Sequence, residues 1–558
     1  MFKEKWRLFV DTILLGVIGG LSAQVFMCLL RLFDDLFLRR LAGYQAPGLP
    51  GEGGTLTQVI GPHHLWLVPV ACTLGGLISG LLVYGIAPEA EGHGTDTAVR
   101  AYHRSGGFIR LRVPPLKMLT SAITIGSGGA AGREGPTALI SAGFGSIYAT
   151  LTRRSDADRR LLVLIGMAAG LSAIFRSPIG TALFAVEVLY NGMDFESDAL
   201  IYTMIASVVA YAVNGLFVGW APLFSVPALA PTSFVDYFWY LVLGLACGVM
   251  AALVPVVFYR LRDAFHRLPG PPHVKPALGG LALGLLALQL PQVLGGGYGW
   301  IQLAIDGRLA VDLMLALAFA KLLAFALTVS SGGSGGVFAP TLYVGAMLGG
   351  VLGRLLHQPA AAFVVVGMAA TFGGAARVPI ATLWMVTEMT GGYKLLVPAA
   401  LAVMFSAIVQ SLLSGHLRLK YISLYEAQVA SPADSPVHTT EYLNVALRLL
   451  ERHKIRLPAS LDPVNLRDIL AAGLPVDLPD GRQFVLGAVP PGSPLLGRPA
   501  DRAFEEVPES SVAAAFRAGQ TLLAHGGVTL RAGDRLLVLA PAALCDRIRR
   551  RLAPPVPV

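Results

Sequence analysis

The stretch Gly126–Thr137 carries the residues of this chain that are best placed for chemistry. It reads GSGGAAGREGPT and sets one ionisable pair, Arg133 and Glu134, between glycines and a proline, directly before the apolar run 138–151. A charge at bilayer depth is costly, so a carboxylate there indicates a functional site. Glycines expose backbone N–H groups, and a helix that begins there directs unpaired N–H groups and a partial positive charge into the loop. This combination favours the binding of an anion.

The composition predicts an integral membrane protein. Of the 558 residues, 54% are hydrophobic and 14% are charged, whereas soluble domains carry about 25% charged residues. The net charge of +9 forms no basic stripe with interleaved aromatic residues, which argues against nucleic acid as a partner. The four cysteines are scattered and match no disulfide or metal-binding pattern. We therefore expect no metal and no cofactor.

The apolar part covers residues 1–430 and is cut into runs of unequal length. The first run, Trp6–Leu38, is long enough to cross a bilayer of about 30 Å, and we expect it to stay in the membrane uncleaved. Later runs, such as 361–375 and 379–389, are too short to span. Short helices at membrane depth are tolerated only when they are buried in protein or line a polar cavity. The pattern predicts an all-α, multi-span protein with broken or re-entrant helices.

An internal repeat relates two halves of this apolar part, at about 60–220 and 235–415. Four segments recur in the same order and share glycine, arginine, proline, threonine and glutamate positions: 132–137 with 336–341, 165–169 with 366–370, 176–179 with 377–380, and Glu187 with Glu388. Matching glycine-interrupted helices in two halves are the best sequence indication of a midplane ion site. Helix N-termini from both halves would then converge on one substrate, and their partial charge favours an anion.

With these motifs the chain resembles the CLC family of chloride channels and transporters over residues 10–430. The segments GREGP at 132–136 and GVFAP at 336–340 carry the resemblance. It implies a homodimer with one anion pathway in each subunit, built from two inverted repeats. It also implies chloride or a similar small anion as substrate, contact with membrane lipid, and a bacterial inner membrane location with both termini in the cytoplasm.

The resemblance assigns roles to residues of the two glycine motifs. Glu134 would be the gating glutamate, which occupies an anion site when charged and leaves it when protonated or displaced. Backbone N–H groups of Val337 and Phe338 would hold the central anion. The backbone around Arg133 and Gly135 would hold an outer anion.

A tyrosine near the end of the apolar part completes the implied site. Tyr425 lies in the segment SLYE at 423–426, which resembles the segment that carries the family's pore tyrosine, and it would donate its hydroxyl to the central anion. Tyr421 is a competitor for this role. The alternative for Tyr425 is an aromatic residue at the membrane interface.

The first anion motif departs from the family pattern. The family has G-S-G-x-P, and this chain reads GHGTD at 92–96, so His93 stands where the serine would contact the anion, next to Gly94. A neutral imidazole still donates one N–H, and a charged one would hold an anion more strongly. A loop histidine beside anion-binding backbone N–H groups is the alternative. Thr95 and Asp96 are candidate helix caps.

A second departure bears on proton coupling. Proton-coupled members of the family often carry a carboxylate pair at the position of Glu187 and Val188, and the second carboxylate relays protons. Because a valine cannot relay protons, we predict a passive chloride channel gated by Glu134; a proton-coupled chloride exchanger of the same fold is the alternative. Glu187, matched by Glu388, is expected to be a buried structural carboxylate that accepts backbone hydrogen bonds.

Composition changes after residue 430 and predicts a second domain. Residues 431–483 would form a linker with a helix at Thr439–Lys454, and residues 484–558 a small soluble α+β domain. Within the latter, strand-like runs lie at 484–489, 512–516, 521–523 and 536–539, and a helix-like run lies at 542–552.

The end of the chain has a resemblance of its own. Residues 484–552 resemble the C-terminal ligand-binding lobe of bacterial potassium-transport regulators, the RCK-C or TrkA-C type, through VPPGSPLLGR at 489–498 and AGDRLLVLA at 532–540. The resemblance implies a cytoplasmic module that regulates transport or dimerises and that binds a small molecule. A structural clamp without a ligand is the alternative.

Other classes of function are disfavoured by missing motifs. The sequence contains no H-E-x-x-H or G-x-S-x-G segment for an intramembrane enzyme and no Walker A segment for a primary pump. We therefore expect no enzymatic activity. A membrane sensor without transport is the remote alternative.

Overall fold

The computed structural model describes residues 2–60, 65–227, 233–432, 435, 437, 476–477, 481–517, 520–523 and 528–553. The chain divides into two compact units, Met1–Gln428 and Val429–Val558. Each unit is built differently, the first from helices and the second around a sheet.

The first unit is almost entirely helical in its described part. Apart from the short hairpin β1 (Tyr44–Gln45) and β2 (Val59–Ile60), its main elements are α1 (Phe2–Asp34), α2 (Leu67–Ile86), α3 (Thr95–Arg104), α4 (Val113–Gly126), α5 (Glu134–Leu151), α6 (Asp156–Phe175), α7 (Pro178–Glu187), α8 (Ser197–Val218), α9 (Phe234–Arg267), α10 (Lys275–Gln289), α11 (Tyr298–Ile305), α12 (Val311–Ser330), α13 (Phe338–Leu355), α14 (Ala360–Ala376), α15 (Pro379–Thr390) and α16 (Leu396–His416). A π-helical segment, Asp35–Leu41, extends α1.

The helices confirm the predicted all-α, multi-span architecture. Within the described residues, seven helices are long and apolar enough to cross a membrane. Others are too short: α3 and α7 have 10 residues each, and α11 has 8. The helix α4 begins at Val113, which is followed by two prolines. Pro114 and Pro115 explain this start, because prolines lack the N–H that a helix needs after its first turn.

The repeat is visible in matching helix boundaries. Arg176 ends α6 and Arg377 ends α14, both in the left-handed region at φ 55°. A proline then opens the next helix in each half, Pro178 in α7 and Pro379 in α15. The same local sequence therefore stops one helix and starts the next in both halves.

Two carboxylates link the halves by capping each other's helices. Glu187, at the end of α7, accepts hydrogen bonds from the backbone N–H groups of Ile380 (3.2 Å) and Ala381 (2.6 Å) at the start of α15. Glu388 returns the contact to α7, where it accepts from the Ser177 hydroxyl (2.6 Å) and from the backbone N–H of Gly180 (2.9 Å). The predicted structural role of Glu187 is confirmed, because its carboxylate satisfies orphan N–H groups at a buried helix end.

The second unit contains a five-stranded antiparallel sheet in the order β3-β4-β7-β5-β6. Its strands are β3 (Val476–Asp477), β4 (Arg482–Ala488), β5 (Ser511–Arg517), β6 (Gln520–Leu523) and β7 (Arg535–Pro541). The helix predicted over 542–552 is wrong in extent: a 3₁₀ turn covers Ala542–Leu544 and the helix α17 covers only Cys545–Arg549. The helix predicted at Thr439–Lys454 lies outside the described residues.

The reciprocal caps generate a prediction about stability. Replacing Glu388 by alanine leaves the N–H groups at the start of α7 without their acceptor, which costs about 1–3 kcal/mol for a buried donor. We expect a lower thermal unfolding midpoint in detergent for Glu388→Ala, and a smaller loss for Glu388→Gln, which keeps an acceptor oxygen. The exposed Lys394, mutated to alanine, is the control. Equal midpoints for Glu388→Ala and the native chain would contradict the capping role.

Candidate functional site

A pair of backbone hydrogen bonds joins the two glycine motifs at the centre of the first unit. The N–H of Gly132 donates to the carbonyl of Gly336, and the N–H of Gly336 donates to the carbonyl of Gly132, both at 2.7 Å. The helices α5 and α13 begin two residues after these glycines. Two helix N-termini, each with orphan N–H groups and a partial positive charge, therefore start from one bridge.

Glu134 lies at this meeting point with its carboxylate buried. The residue is 1% exposed, and neither carboxylate oxygen has a hydrogen-bond partner among the residues that the structure describes. A Cβ added to Gly132 would lie 2.1 Å from Oε2 of Glu134 and 3.1 Å from the backbone nitrogen of Ala339. The carboxylate is therefore turned toward the first turn of α13, where orphan N–H groups stabilise negative charge.

Arg133 turns away from Glu134 into an ion pair. Its guanidinium donates to both carboxylate oxygens of Glu52, at 2.6 and 3.1 Å, in a bidentate pair. Burial would raise the pKa of Glu52, but the charge of Arg133 outweighs it and holds the pKa below its usual value. The side chain of Arg133 is thus engaged, and only its backbone is left for the role that the resemblance assigns.

The segment that contains Glu52 is held down by two more arginines. Arg31 donates to the carbonyl of Glu52 (3.1 Å), and Arg176 donates to the carbonyls of Gly51 and Ala221, both at 2.9 Å. The loop between α1 and α2 is therefore fixed beside the start of α5.

The segment 92–96 contributes a third helix start. Gly94 precedes α3, and a Cβ added to Gly135 would lie 2.1 Å from the carbonyl oxygen of His93, so this loop touches the first turn of α5. The predicted capping of α3 by Thr95 or Asp96 is wrong, because Gly94 occupies the N-cap position and no side-chain cap bond forms.

Asp96 ties this loop to the segment of the pore tyrosine candidate. Its carboxylate accepts the backbone N–H groups of Glu426 (3.2 Å) and Ala427 (3.1 Å), and its Oδ2 lies 3.2 Å from Nε2 of His93. The rings of His93 and Tyr425 are consequently close, with centroids 5.5 Å apart.

The two tyrosine candidates occupy different surroundings. Tyr425 is buried and contacts the ring of Phe184, which in turn lies against Phe338. Tyr421 donates its hydroxyl to Asp263 at 2.7 Å and stacks on Tyr259. Tyr425 is therefore the tyrosine that lies beside His93 and the aromatic cluster at Phe338.

Two buried lysines that the sequence interpretation missed hold the loops before α3 and α11. Lys117 donates to the carbonyls of Ala90 (2.9 Å) and Gly92 (2.6 Å), and Lys321 donates to the carbonyls of Val293 (2.7 Å) and Gly295 (2.6 Å). The two lysines are separated by the same number of residues as Gly132 and Gly336. The sequence does contain a signal for them, because a lysine inside an apolar helix recurs at the matching position in both halves.

Two cavities adjoin the site, one toward each end of α2. The Arg133 vestibule, about 410 Å³, is lined by residues that include Arg31, Glu52 and Tyr298. The His93 vestibule, about 280 Å³, is lined by residues that include Asp96 and Arg262. The first involves the loop before α2 and the second the loop after it, and a helix of 20 residues spans about 30 Å. The two cavities therefore open at opposite ends of a membrane-spanning helix.

Fold and site together define an integral membrane protein whose buried carboxylate lies between converging helix N-termini, with a vestibule on either side. The chain matches the family described as "Voltage gated chloride channel" over residues 75–411. It therefore belongs to the CLC family.

Relatives and solved structures agree with this assignment. The chain is 31% identical over 378 residues to the H(+)/Cl(-) exchange transporter ClcA of Salmonella agona, across 65% of this chain and 80% of that protein, and equally so to ClcA of Salmonella arizonae. Its fold matches a slow cyanobacterial Cl-/H+ antiporter (TM-score 0.64, 22% identity, 75% of this chain, 96% of the other). It also matches a CLC-type fluoride/proton antiporter (TM-score 0.64, 23% identity, 77% and 100%).

These findings correct the predicted passive channel. The relatives at 31% identity are exchange transporters, and the prediction rested on one residue, Val188. The prediction was physically weak because an apolar side chain at one position removes only one possible proton carrier. Any other group or water molecule that carries protons is unaffected.

The contact between Gly132 and Glu134 generates a prediction. In Gly132→Ala the new Cβ collides with Oε2 of Glu134, so the carboxylate has to move. We expect chloride flux in liposomes to change by roughly tenfold, equivalent to about 1.4 kcal/mol in the barrier. In the double variant Gly132→Ala/Glu134→Ala the carboxylate is gone, so the two effects should not add. Fully additive effects would show that Gly132 does not restrain Glu134.

Proposed function

We propose that this chain exchanges chloride for protons across the bacterial inner membrane. The observation that carries the proposal is Glu134, a buried carboxylate without a partner among the described residues, placed where the N-termini of α5 and α13 meet. The names of the ClcA relatives support exchange over conduction without protons.

The proposed mechanism is competition between the Glu134 carboxylate and the anion. An ionised carboxylate faces the helix N-termini and is stabilised by the same positive potential that an anion needs. Protonation removes the negative charge, so the helix N-termini no longer attract the side chain. The side chain then leaves the site and a chloride ion binds there instead. When the proton leaves, the carboxylate returns and displaces the anion. One group thus links anion occupancy to proton occupancy.

The other proposed ligands surround this position. Backbone N–H groups of Val337 and Phe338 at the start of α13 would hold the central anion, together with the Tyr425 hydroxyl. His93 and Gly94 at the start of α3 would approach it from the His93 vestibule. The backbone of Arg133 and Gly135 would hold an outer anion nearer the Arg133 vestibule.

We also propose the assembly and the role of the second unit. The chain would form a homodimer surrounded by lipid, with one pathway in each subunit and with both termini in the cytoplasm. Residues 1–430 would be the transport domain, 431–483 a linker, and 484–558 an RCK-C-like domain that binds a small molecule and regulates transport. Transport would leave its substrates chemically unchanged, so the protein would not be an enzyme.

The test is simultaneous measurement of chloride efflux and proton uptake in liposomes. We expect the native chain to move protons uphill when driven by a chloride gradient. Glu134→Gln mimics the protonated side chain, so chloride flux should persist and proton movement should stop. Asp198→Asn, an exposed carboxylate at the start of α8, is the matched control and should keep both fluxes. Chloride flux without proton movement in the native chain would overturn the proposal.

A further inference from the structure

Only one of the two ring nitrogens of His93 contacts a carboxylate. Its Nε2 lies 3.2 Å from Oδ2 of Asp96, one helical turn further along. The same carboxylate accepts the N–H groups of Glu426 and Ala427. A carboxylate surrounded by three donors is held in its ionised, acceptor-only form.

This arrangement decides which nitrogen carries the proton. Because an ionised Asp96 can only accept, Nε2 of His93 carries hydrogen in both the neutral and the charged ring. In the neutral ring Nδ1 is then an acceptor, and in the charged ring it is a donor. Nδ1 is buried without a hydrogen-bond partner among the described residues, and His93 is 6% exposed.

The neutral ring therefore binds an anion weakly. A lone pair on Nδ1 would repel the negative charge, whereas an N–H on Nδ1 would bind it through a charge-assisted hydrogen bond. The rings of Tyr425 and Phe258 flank the imidazole, with centroids 5.5 and 6.4 Å away, and Nδ1 forms no hydrogen bond with the described residues.

The other charged and titratable groups around His93 come from several elements. Asp96 on α3 touches the ring, Glu134 begins α5, Tyr425 lies against the ring, and Lys117 on α4 donates to Gly92 of the same loop. Farther out, the His93 vestibule is lined by Glu89, Glu91, Arg100, Tyr259, Arg262, His266 and Glu426. Of the last group, Arg262 and Glu426 neutralise each other in an ion pair.

We propose that His93 is a proton-linked anion ligand: an anion that binds beside it draws a proton from the His93 vestibule onto Nδ1. Asp96 is the positioning residue, because it fixes the ring and keeps hydrogen on Nε2. The inference rests on the proposed anion site, and it adds a second group, independent of Glu134, whose protonation favours anion binding. By linkage, chloride must then bind more tightly at lower pH even when Glu134 cannot titrate.

The experiment uses the purified full chain with Glu134→Gln, which removes the titration of the gate. Calorimetry with chloride should show the Kd rising about tenfold from about pH 5.5 to about pH 8, the range in which histidine side chains commonly change charge. Repeating the titration in two buffers of different ionisation enthalpy should show proton uptake on chloride binding. A Kd that stays constant across this range would overturn the proposal, and this arm needs no change at His93.

Variants in the Glu134→Gln background locate the titrating group. His93→Ser keeps a donor at every pH, so both the pH dependence of the Kd and the proton uptake should disappear. His416→Gln, which changes an exposed histidine at the end of α16, should leave both intact. Asp96→Asn should reduce proton uptake, because an uncharged partner no longer stabilises the charged ring. Persistent pH dependence in His93→Ser would assign the linkage to another group and refute the proposal.

Binding and transport measurements separate this inference from the exchange proposal. If the native chain moves no protons in liposomes while Glu134→Gln still takes up protons with chloride, exchange fails and the role of His93 stands. If exchange is observed while chloride affinity in Glu134→Gln is independent of pH, the role of His93 fails alone.

Discussion

The structure of the first unit depends on the close approach of Gly132 and Gly336. Their reciprocal hydrogen bonds bring the backbones of the two halves into contact, so neither position has room for a side chain. A Cβ on Gly336 would lie 2.8 Å from the nitrogen of Gly135 and 2.9 Å from the carbonyl oxygen of Gly132. Because α5 and α13 start from this bridge, its geometry sets how near their N-termini come, and thus how much positive potential they share.

Around this bridge, buried charges are satisfied in pairs related by the repeat. Glu187 and Glu388 cap each other's helices, and Lys117 and Lys321 each donate hydrogen bonds to a pair of carbonyls. Such partners are what makes a charge tolerable in a low-dielectric interior. Glu134 and Nδ1 of His93 differ from these groups, since each lacks a partner among the described residues. The two groups without a partner are thus not repeated, because the corresponding positions in the second half are Phe338 and Gly297.

The sequence predicted the parts of this structure that depend on local chemistry. Glycine motifs, repeated prolines and the paired glutamates each have one physical use, so the helix boundaries and the caps could be inferred from them. Contacts between distant segments could not. Nothing near Glu52 in the sequence indicates that Arg133 pairs with it, and Asp96 has the pattern of a helix cap although its carboxylate binds N–H groups of residues 426–427. These partners are set by tertiary packing, which outweighs local preference.

The surroundings of Val188 explain why one apolar residue could not decide how protons move. Val188 is buried, but the next carbonyl along the chain, that of Leu189, lies 3.1 Å from Nε2 of His103. The hydroxyl of Tyr190 then donates to Glu196 at 2.6 Å. Titratable groups therefore surround the segment that carries the valine: Tyr190 follows it in the chain, His103 lies on α3 and Glu196 precedes α8. A comparison of single sequence positions does not reveal them. Proton movement depends on which groups are within hydrogen-bond reach of one another, and that is a property of the packed helices rather than of any one residue in the motif.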